Sequence, residues 1–494
     1  MLLGLDLGTT NVKALVTDTH GRRLAEASRA VQLFHVSHGG VEQDIEEIWQ
    51  ATLVVLKEAA ISVDRAKIQA IGISSQGGAL QMLDAKNTPA GRVISWLDER
   101  GSAFDGNITR ELGHDWFAQR IGHGAAAVGI GQVLRLRKER PQSLMPPNRI
   151  GFVGDVIVGR LSGRAAHDGT SAALTCLYNP AKRNYDPDLL QRLGVTAAQL
   201  PDLASPRESA GGLLPEVAQA TGLRAGIPVS PAIHDQYTAA LAMRAVETGT
   251  VMVGAGTAWI LLAVSDCWIA PVTEWAFECH HVVDGLWGQI VSLVNGGSAL
   301  AWALELTGHA KSKGAEIDRL LESAPAGCDG LQCQPFLAAL AASGVAPDAR
   351  GRLSGLQMSH RAGHVVRAVL EGLAFELRRH IDFLRSAGLP VERLVVGGTA
   401  AASRVSPQIL SDVCGLPLEC AGGGEGSPLG AAILARGLLE PKKSLADIAR
   451  EMAPVARRVE PGPAAKLYQE QYSRYLRELP LRPAREDARP THLP

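Results

Sequence analysis

An apolar strand with a single acid in it opens the chain: Leu2, Leu3, Gly4, Leu5, Asp6 and Leu7, then Gly8, Thr9 and Thr10. A carboxylate at the end of so apolar a run is costly to bury unless something pairs with it. A bound cation is one such partner, and Gly8 frees the backbone to turn sharply toward a ligand. Thr9 and Thr10 add hydroxyls and backbone N–H donors. Acid, glycine and hydroxyls on one tight turn suit a metal–phosphate complex. They also suit an Asp closing an ordinary β-hairpin, and the turn alone does not choose between the two.

The residues that follow predict a meander: a second strand at Val12–Thr17, a turn at 18–22 and a third strand near Leu24–Val31. Ile48, Trp49, Leu53, Leu56 and Ala60 then mark the apolar face of a helix over 45–60. A short strand at Ile68–Ser74 leads into Ser75, Gln76, Gly77 and Gly78, and further strands are expected at Leu80–Asp84 and Val93–Trp96. Strands mixed with helices behind a meander indicate an α/β fold with a mixed sheet. A second meander of the same type, Thr250–Val253, Gly254–Thr257 and Trp259–Val264, suggests a tandem pair of related folds whose turns face each other across a cleft. Val366, Leu370, Leu373, Leu377, Ile381 and Leu384 predict one long amphipathic helix stopped by Gly388 and Pro390. A strand at Leu394–Val396 follows, and then a helix at Pro407–Cys414 with Ser406 as its cap.

With 494 residues, of which 46% are hydrophobic, there is enough apolar material for about two to four domains. Lys+Arg 49 against Asp+Glu 50 leaves a net charge of -1 with no basic stripe, which argues against a nucleic-acid surface. The seven cysteines are dispersed without metal-ligand spacing, and reduced thiols in a cytoplasm fit them. The start of the chain has no basic region or small-residue cleavage site, so no signal peptide is expected. The uncharged stretch 248–265 carries Gly249, Gly254 and Gly256 and is expected to be a buried hairpin rather than a membrane span.

Three Gly turns, each behind an apolar strand, can present N–H groups to an anion: Gly8-Thr9-Thr10, Gly254-Ala255-Gly256-Thr257 and Gly397-Gly398-Thr399. None is a Walker loop. Asp235, at the end of the apolar segment 228–234, is placed either as a general base emerging into a cleft or as the cap of the helix after it. His234 reads more naturally as a packed or hydrogen-bonded residue than as a catalyst.

The ordered set of segments resembles the FGGY carbohydrate kinases of the actin-like ATPase superfamily, from Met1 to about residue 440. It includes Gly4–Thr10, Ser74–Gly78, Trp96-Leu97-Asp98-Glu99-Arg100, Asp235-Gln236, Gly254–Thr257, the pair Gly351–Leu356 and His364–Glu371, Gly397-Gly398 and Leu429–Ala432. The resemblance implies two ribonuclease H-like (actin-like ATPase) α/β domains flanking a cleft. These are an N-terminal domain at 1–235 with the acceptor side and phosphate turn, and a C-terminal domain at 236–450 with the nucleotide side. A helix within 451–479 is expected to pack on the core, and 480–494 to form a disordered tail. The implied reaction is ATP-dependent phosphorylation of a sugar hydroxyl, with a ketopentose such as xylulose, or a related ketose or polyol, as acceptor. Asp235 is implied as the base and Asp6 as the acid that orients Mg²⁺ through water. Thr9, Thr10, Gly256 and Thr257 would hold phosphates, and Gly397 and Gly398 would let adenosine approach the backbone. Gln76, Gly77, Trp96, Asp98, Asp235 and Gln236 would face the acceptor.

Two departures from the family pattern stand out. Glycerol kinases carry Arg-Glu directly after the glutamine and typical xylulokinases Met-His, where this chain has Gly77-Gly78. The Gly-Glu-Arg of many relatives is also replaced by apolar residues near 337–346. Other acceptors (a ketohexose, a sugar alcohol, a small linear signal molecule) and a non-catalytic actin-like or chaperone-like switch are the competing readings. No nucleic-acid or membrane partner is expected, and a homodimer is the assembly left open.

Overall fold

The structure, a computed structural model, describes residues 1–293, 295–338, 343–422, 426–454 and 457–481. Among these residues two large sheets carry the fold. The first contains β1 (Leu2–Leu7), β2 (Asn11–Thr17), β3 (Arg23–Ala30), β4 (Ala70–Ser75), β5 (Ala166–His167), β6 (Asp202–Leu203), β7 (Gly211–Gly212) and β8 (Pro228–His234). Its order is β6-β5-β8-β4-β1-β2-β3, with β7 beside β8. β1 is antiparallel to β2 and parallel to β4, and β4 is parallel to β8.

Every residue of β1 is buried, because both faces of the sheet are covered. Side chains alternate across a strand. Leu3, Leu5 and Leu7 therefore join one apolar cluster under helix α1 (Ile45–Ile61), whereas Leu2 joins the cluster on the opposite face. That alternation puts Asp6 on the same face as Leu2 and Gly4. This face looks toward helix α2 (Asp235–Ala242) and the second half of the chain.

The second sheet contains β9 (Thr250–Ala255), β10 (Trp259–Ser265), β11 (Phe277–His280), β12 (Trp287–Ser292), β13 (Arg393–Gly398), β14 (Leu418–Cys420) and β15 (Arg457–Val459), in the order β11-β12-β10-β9-β13-β14-β15. Its core β12-β10-β9-β13-β14 repeats the plan of β3-β2-β1-β4-β8: three antiparallel strands, then two parallel to the first. The two halves are therefore built alike, as the paired meanders suggested. Helix α3 (Gly297–Leu306) leaves the second meander, and α4 (Ala362–Ser386) is the long amphipathic helix, ending just before Gly388.

Helix α5 (Gly426–Leu439) lies late in the chain but packs on the first sheet, against β1, β4 and α2. The inner faces of the two sheets hold α2 and α5 between them, and Met252, Leu262 and Val395 share a cluster with Leu2, Ala70, Leu241 and Leu429. The seam depends on glycine. A Cβ on Gly72 would stand 1.8 Å from the Ala431 carbonyl oxygen, and one on Gly430 would stand 1.8 Å from that of Thr238. In an exposed helix, glycine to alanine gains about 1 kcal/mol. At Gly430 the sign should reverse, because only backbone can yield. Gly430→Ala is expected to lower stability by about 3 kcal/mol, read as a depressed unfolding midpoint, and an unchanged or raised midpoint would show that the seam opens freely.

Helix α6 (Ala465–Glu478) packs on the core as expected, with Tyr468 and Tyr475 fully buried and all three of Tyr468, Tyr472 and Tyr475 ringed around Phe375. The expected tail begins as ordered chain: the Pro480 carbonyl accepts from Ala346 N at 2.8 Å and Leu481 bridges to Val345. Residues 482–494 lie outside the described residues, as do 339–342 of the apolar replacement near 337–346. The cap expected at Ser406 is supplied instead by Ser403, whose hydroxyl accepts from the N–H groups of Val405 and Ser406. All seven cysteines are free thiols. Among the described residues no helix is long and apolar enough to cross a membrane.

Candidate active site

Three parallel strands of the first sheet end side by side, and register places Asp6 opposite Ser74, and Ser74 opposite Ile233. The next two residues after Ile233 are His234, which closes β8, and Asp235, which begins α2. The carboxyl ends of parallel strands are where such sheets leave room for a ligand, and both acids stand there. Ser74 Oγ donates to Asp6 Oδ1 at 2.8 Å and lies 2.9 Å from Thr238 Oγ1, which in turn donates to the Asp235 carbonyl at 2.9 Å. Two hydroxyls thus tie the two acid-bearing segments together.

Both carboxyl groups are held well above the ordinary carboxylate range. Burial pushes Asp6 up to about 6, with the nearby Asp235 charge adding to the effect and the bond from Ser74 opposing it. Burial likewise pushes Asp235 up to about 6, opposed by hydrogen bonds from Gln236. Asp235 does not cap its helix: it is the first helical residue, and the cap position is His234. Its side chain keeps 28% of its surface open, so it is reachable from the cleft.

The Gly8 turn is closed by Gly8 N donating to the Asn11 carbonyl at 3.0 Å. Thr9 Oγ1 donates to Gln76 Oε1 at 3.3 Å and accepts from Trp96 Nε1 at 3.1 Å. Gln76 and Trp96, expected on the acceptor side, are therefore joined to the turn expected on the phosphate side. Thr10 is exposed at the end of this turn. The indole of Trp96 is half exposed.

Asp98 does not join them. Its carboxylate is fully buried and accepts from Arg100 Nη2 at 2.5 Å, Val41 N at 2.9 Å and Gln132 Nε2 at 3.1 Å. Burial raises its pKa, but these hydrogen bonds and the Arg100 charge outweigh that and hold it below the usual range. What Asp98 does is anchor the loop that carries Trp96.

Across the cleft, Gly254 pairs with Gly397 and Ala255 with Gly398 at the ends of β9 and β13. Gly398 has φ +80, and a Cβ there would stand 2.6 Å from the Ala255 carbonyl oxygen, so the position accepts only glycine. Gly256 and Thr257 are exposed, and their carbonyls accept from Gly297 N and Ser298 N, which docks the turn on the start of α3. Gln236 reaches between the halves: Nε2 lies 3.3 Å from Asp235 Oδ1, and Oε1 borders the space over Gly254.

Next to these turns is a cavity of about 510 Å³, lined by Trp259, Leu300, Ile317, Leu370 and Ala400 with Thr399 and Ser403 at its polar margin. Its size and apolar walls suit a flat heterocycle. Leu300, Ile317 and Ala400 were not apparent as site residues from sequence, since an apolar residue lining a pocket reads like one lining a core. Ser74 and Thr238 were missed for a related reason: a serine and a threonine 164 positions apart give no local signal of contact.

Comparison with known proteins identifies the family of the chain. The family model described as "FGGY family of carbohydrate kinases, N-terminal domain" matches residues 1–242, and its C-terminal counterpart matches 244–436. Xylulose kinase of Escherichia coli (strain K12) is 27% identical over 457 residues, covering 91% of this chain and 92% of that enzyme. A glycerol kinase of Gloeobacter violaceus is 30% identical over 431 residues, covering 85% and 84%. Among solved structures, xylulose kinase from Rhodospirillum rubrum superposes with a TM-score of 0.86 at 24% identity, over 96% of this chain and 97% of that one. Plasmodium falciparum glycerol kinase with ADP superposes at 0.88 and 20% identity, over 96% of each chain. The chain belongs to the FGGY family of carbohydrate kinases, phosphotransferases that act on sugar hydroxyls with ATP as donor.

Proposed function

We propose that this kinase phosphorylates a hydroxyl of a ketopentose such as xylulose, or of a related ketose or polyol, with Asp235 as general base. The observation that carries the reading is the pair of raised acids on one side of the cleft opposite two glycine turns and an apolar cavity. An acid held near 6 is largely ionised at neutral pH yet remains a competent proton acceptor. Asp235 would take the hydroxyl proton as the oxygen bonds to the γ-phosphorus of ATP and the bond to the β-phosphate oxygen breaks, releasing ADP. Trp96 offers an indole face to the acceptor, and Gln76 and Gln236 offer amides.

The residues also fit a divalent cation. Asp6 is a buried acid beside a second acid, held by the Ser74 hydroxyl, and a cation would relieve both burial and repulsion. Mg²⁺, held there through water, would neutralise charge on the phosphates. Thr9, Thr10, Gly256 and Thr257 would hold the phosphates, and Gly397, Gly398 and the cavity the nucleoside. Positioning and charge neutralisation are most of what phosphoryl transfer needs from a protein.

The test is ADP release from Mg-ATP by the purified chain across pentuloses, hexuloses, gluconate, polyols and glycerol. A ketopentose is expected to give the highest kcat/KM, and glycerol a low one, because positions 77 and 78 carry no side chain to bind it. If no acceptor raises ADP release above the acceptor-free rate, the kinase assignment of this cleft falls to the nucleotide-switch alternative. The cavity has its own test. Ala400→Trp is expected to raise KM for ATP by about tenfold or more by filling the space while leaving KM for the acceptor unchanged. An unchanged KM for ATP would place the nucleoside elsewhere.

A further inference from the structure

The residue just before the candidate base is a histidine whose ring occupies the place of a side chain at position 77. A Cβ on Gly77 would stand 2.8 Å from His234 Cδ2 and 2.8 Å from Leu174 Cβ, and one on Gly78 would stand 2.4 Å from Val128 Cγ1. Carbon atoms do not pack that closely, so both positions are held to glycine by the side chains over them. Val128 sits at φ 52 and ψ -100, a conformation a β-branched residue takes only when its surroundings impose it. The side chains missing from 77 and 78 are thus replaced in space by three others. Leu174 and Val128 are apolar, whereas His234 can donate a hydrogen bond.

The His234 side chain is 8% exposed, and its Nε2 lies 3.3 Å from Asp235 Oδ1, near enough to attract it but not lined up as a hydrogen bond in this conformation. Gln236 Nε2 reaches the same oxygen at 3.3 Å. His234 Nδ1 is buried with no hydrogen-bond partner among the described residues. Burial pushes the imidazole down to about 3, so the ring is neutral and carries one proton. A neutral imidazole places its proton on the nitrogen that faces an acceptor, which here is Nε2, and a bare lone pair is left at Nδ1.

We infer that His234 is a positioning residue: a small turn of its ring lines up Nε2–H with Asp235 Oδ1, and that bond sets the rotamer of the base. The second carboxylate oxygen is then free for the acceptor hydroxyl. The inference rests on Asp235 being the base. It explains why Gly77 and His234 occur together: the ring that orients the base needs the space a side chain at 77 would take.

Two measurements on the full chain test it. In ¹⁵N-histidine spectra, with the His234 signals identified by their loss in His234→Gln, Nε2 is expected to be protonated and Nδ1 bare at pH 7. Gly77→Ala, which pushes on the ring, is expected to shift those signals. A protonated Nδ1 or a charged ring overturns the inference whether or not any acceptor is known. In kinetics with the best acceptor of the panel, His234→Leu keeps the volume but loses the donor. It is expected to lower kcat about tenfold, the size of one hydrogen bond to a charged group, with KM for ATP unchanged. His234→Gln, whose amide reaches the same carboxylate, is expected to stay within about threefold of the unaltered enzyme. Equal losses in the two variants, or none in either, make His234 a space-filler and overturn the inference. Asp235→Asn, assayed alongside, separates the two levels: if it turns over normally, the base assignment has failed rather than the role of its neighbour.

Discussion

Asp235→Asn is expected to lower acceptor-dependent ADP release by about 10²- to 10⁴-fold, the usual contribution of a positioned base, while leaving ATP affinity nearly intact. Asparagine has the same shape and keeps an oxygen that can accept from His234 and Gln236. What it loses is the ability to take a proton. The pH profile sharpens the test, because burial holds Asp235 near 6. In the unaltered enzyme kcat/KM for the acceptor should fall as pH drops through about 6, as the base becomes protonated, and level off above it. The residual activity of Asp235→Asn should lack that acidic limb. Near-normal turnover would remove Asp235 from the mechanism.

Asp6→Asn should move activity and stability in opposite directions. Asp6 has a pKa raised from 3.8 to about 6, so the folded protein binds this proton more tightly than the unfolded chain does. Stability therefore falls as pH rises from about 4 to about 6, and the whole cost is present above that range. A shift of about two units corresponds to about 3 kcal/mol. Asparagine removes the charge and can still accept from Ser74 Oγ. The unfolding midpoint of Asp6→Asn at pH 7.5 should rise by a few degrees, with the difference shrinking toward pH 4. Turnover should fall by about 10²-fold or more as phosphate charge goes unneutralised. The stabilisation that Mg-ATP confers on the unaltered protein should largely vanish. An unaltered rate would reduce Asp6 to a structural turn residue. An unaltered midpoint would mean that Asp6 is not destabilising where it sits.

Much of this site was legible in the sequence because local rules govern it. A lone acid in the apolar run of β1 and a sharp turn after it single out Asp6, and an apolar strand running into Asp235 singles out the second acid. The long helix α4 announces itself by its apolar spacing and its Gly388 stop. Other features were illegible because they are contacts between distant segments. Asp98 sits in a motif expected to face the acceptor, yet Arg100 and Val41 N claim its carboxylate. Ser403 displaces Ser406 as a cap because its hydroxyl can reach both N–H groups from outside the helix. Gly77-Gly78 could be seen as an absence of side chains, but only the folded chain shows His234, Leu174 and Val128 standing in their place.

The packing of α5 on the first sheet sets a timetable for making the protein. Gly4 meets Pro428, 424 positions later (428 − 4), and a ribosome adding about 5–20 residues per second needs roughly 20 to 85 seconds to cover that distance. Until then the inner face of the first sheet is an apolar surface without its cover, long enough for nascent chains to find one another. A message truncated before residue 426 would yield a half in which β1 and β4 lack the helix that covers them. Completion of α5 is thus a checkpoint on synthesis: the cleft can assemble only on a polypeptide that has been read past Leu439.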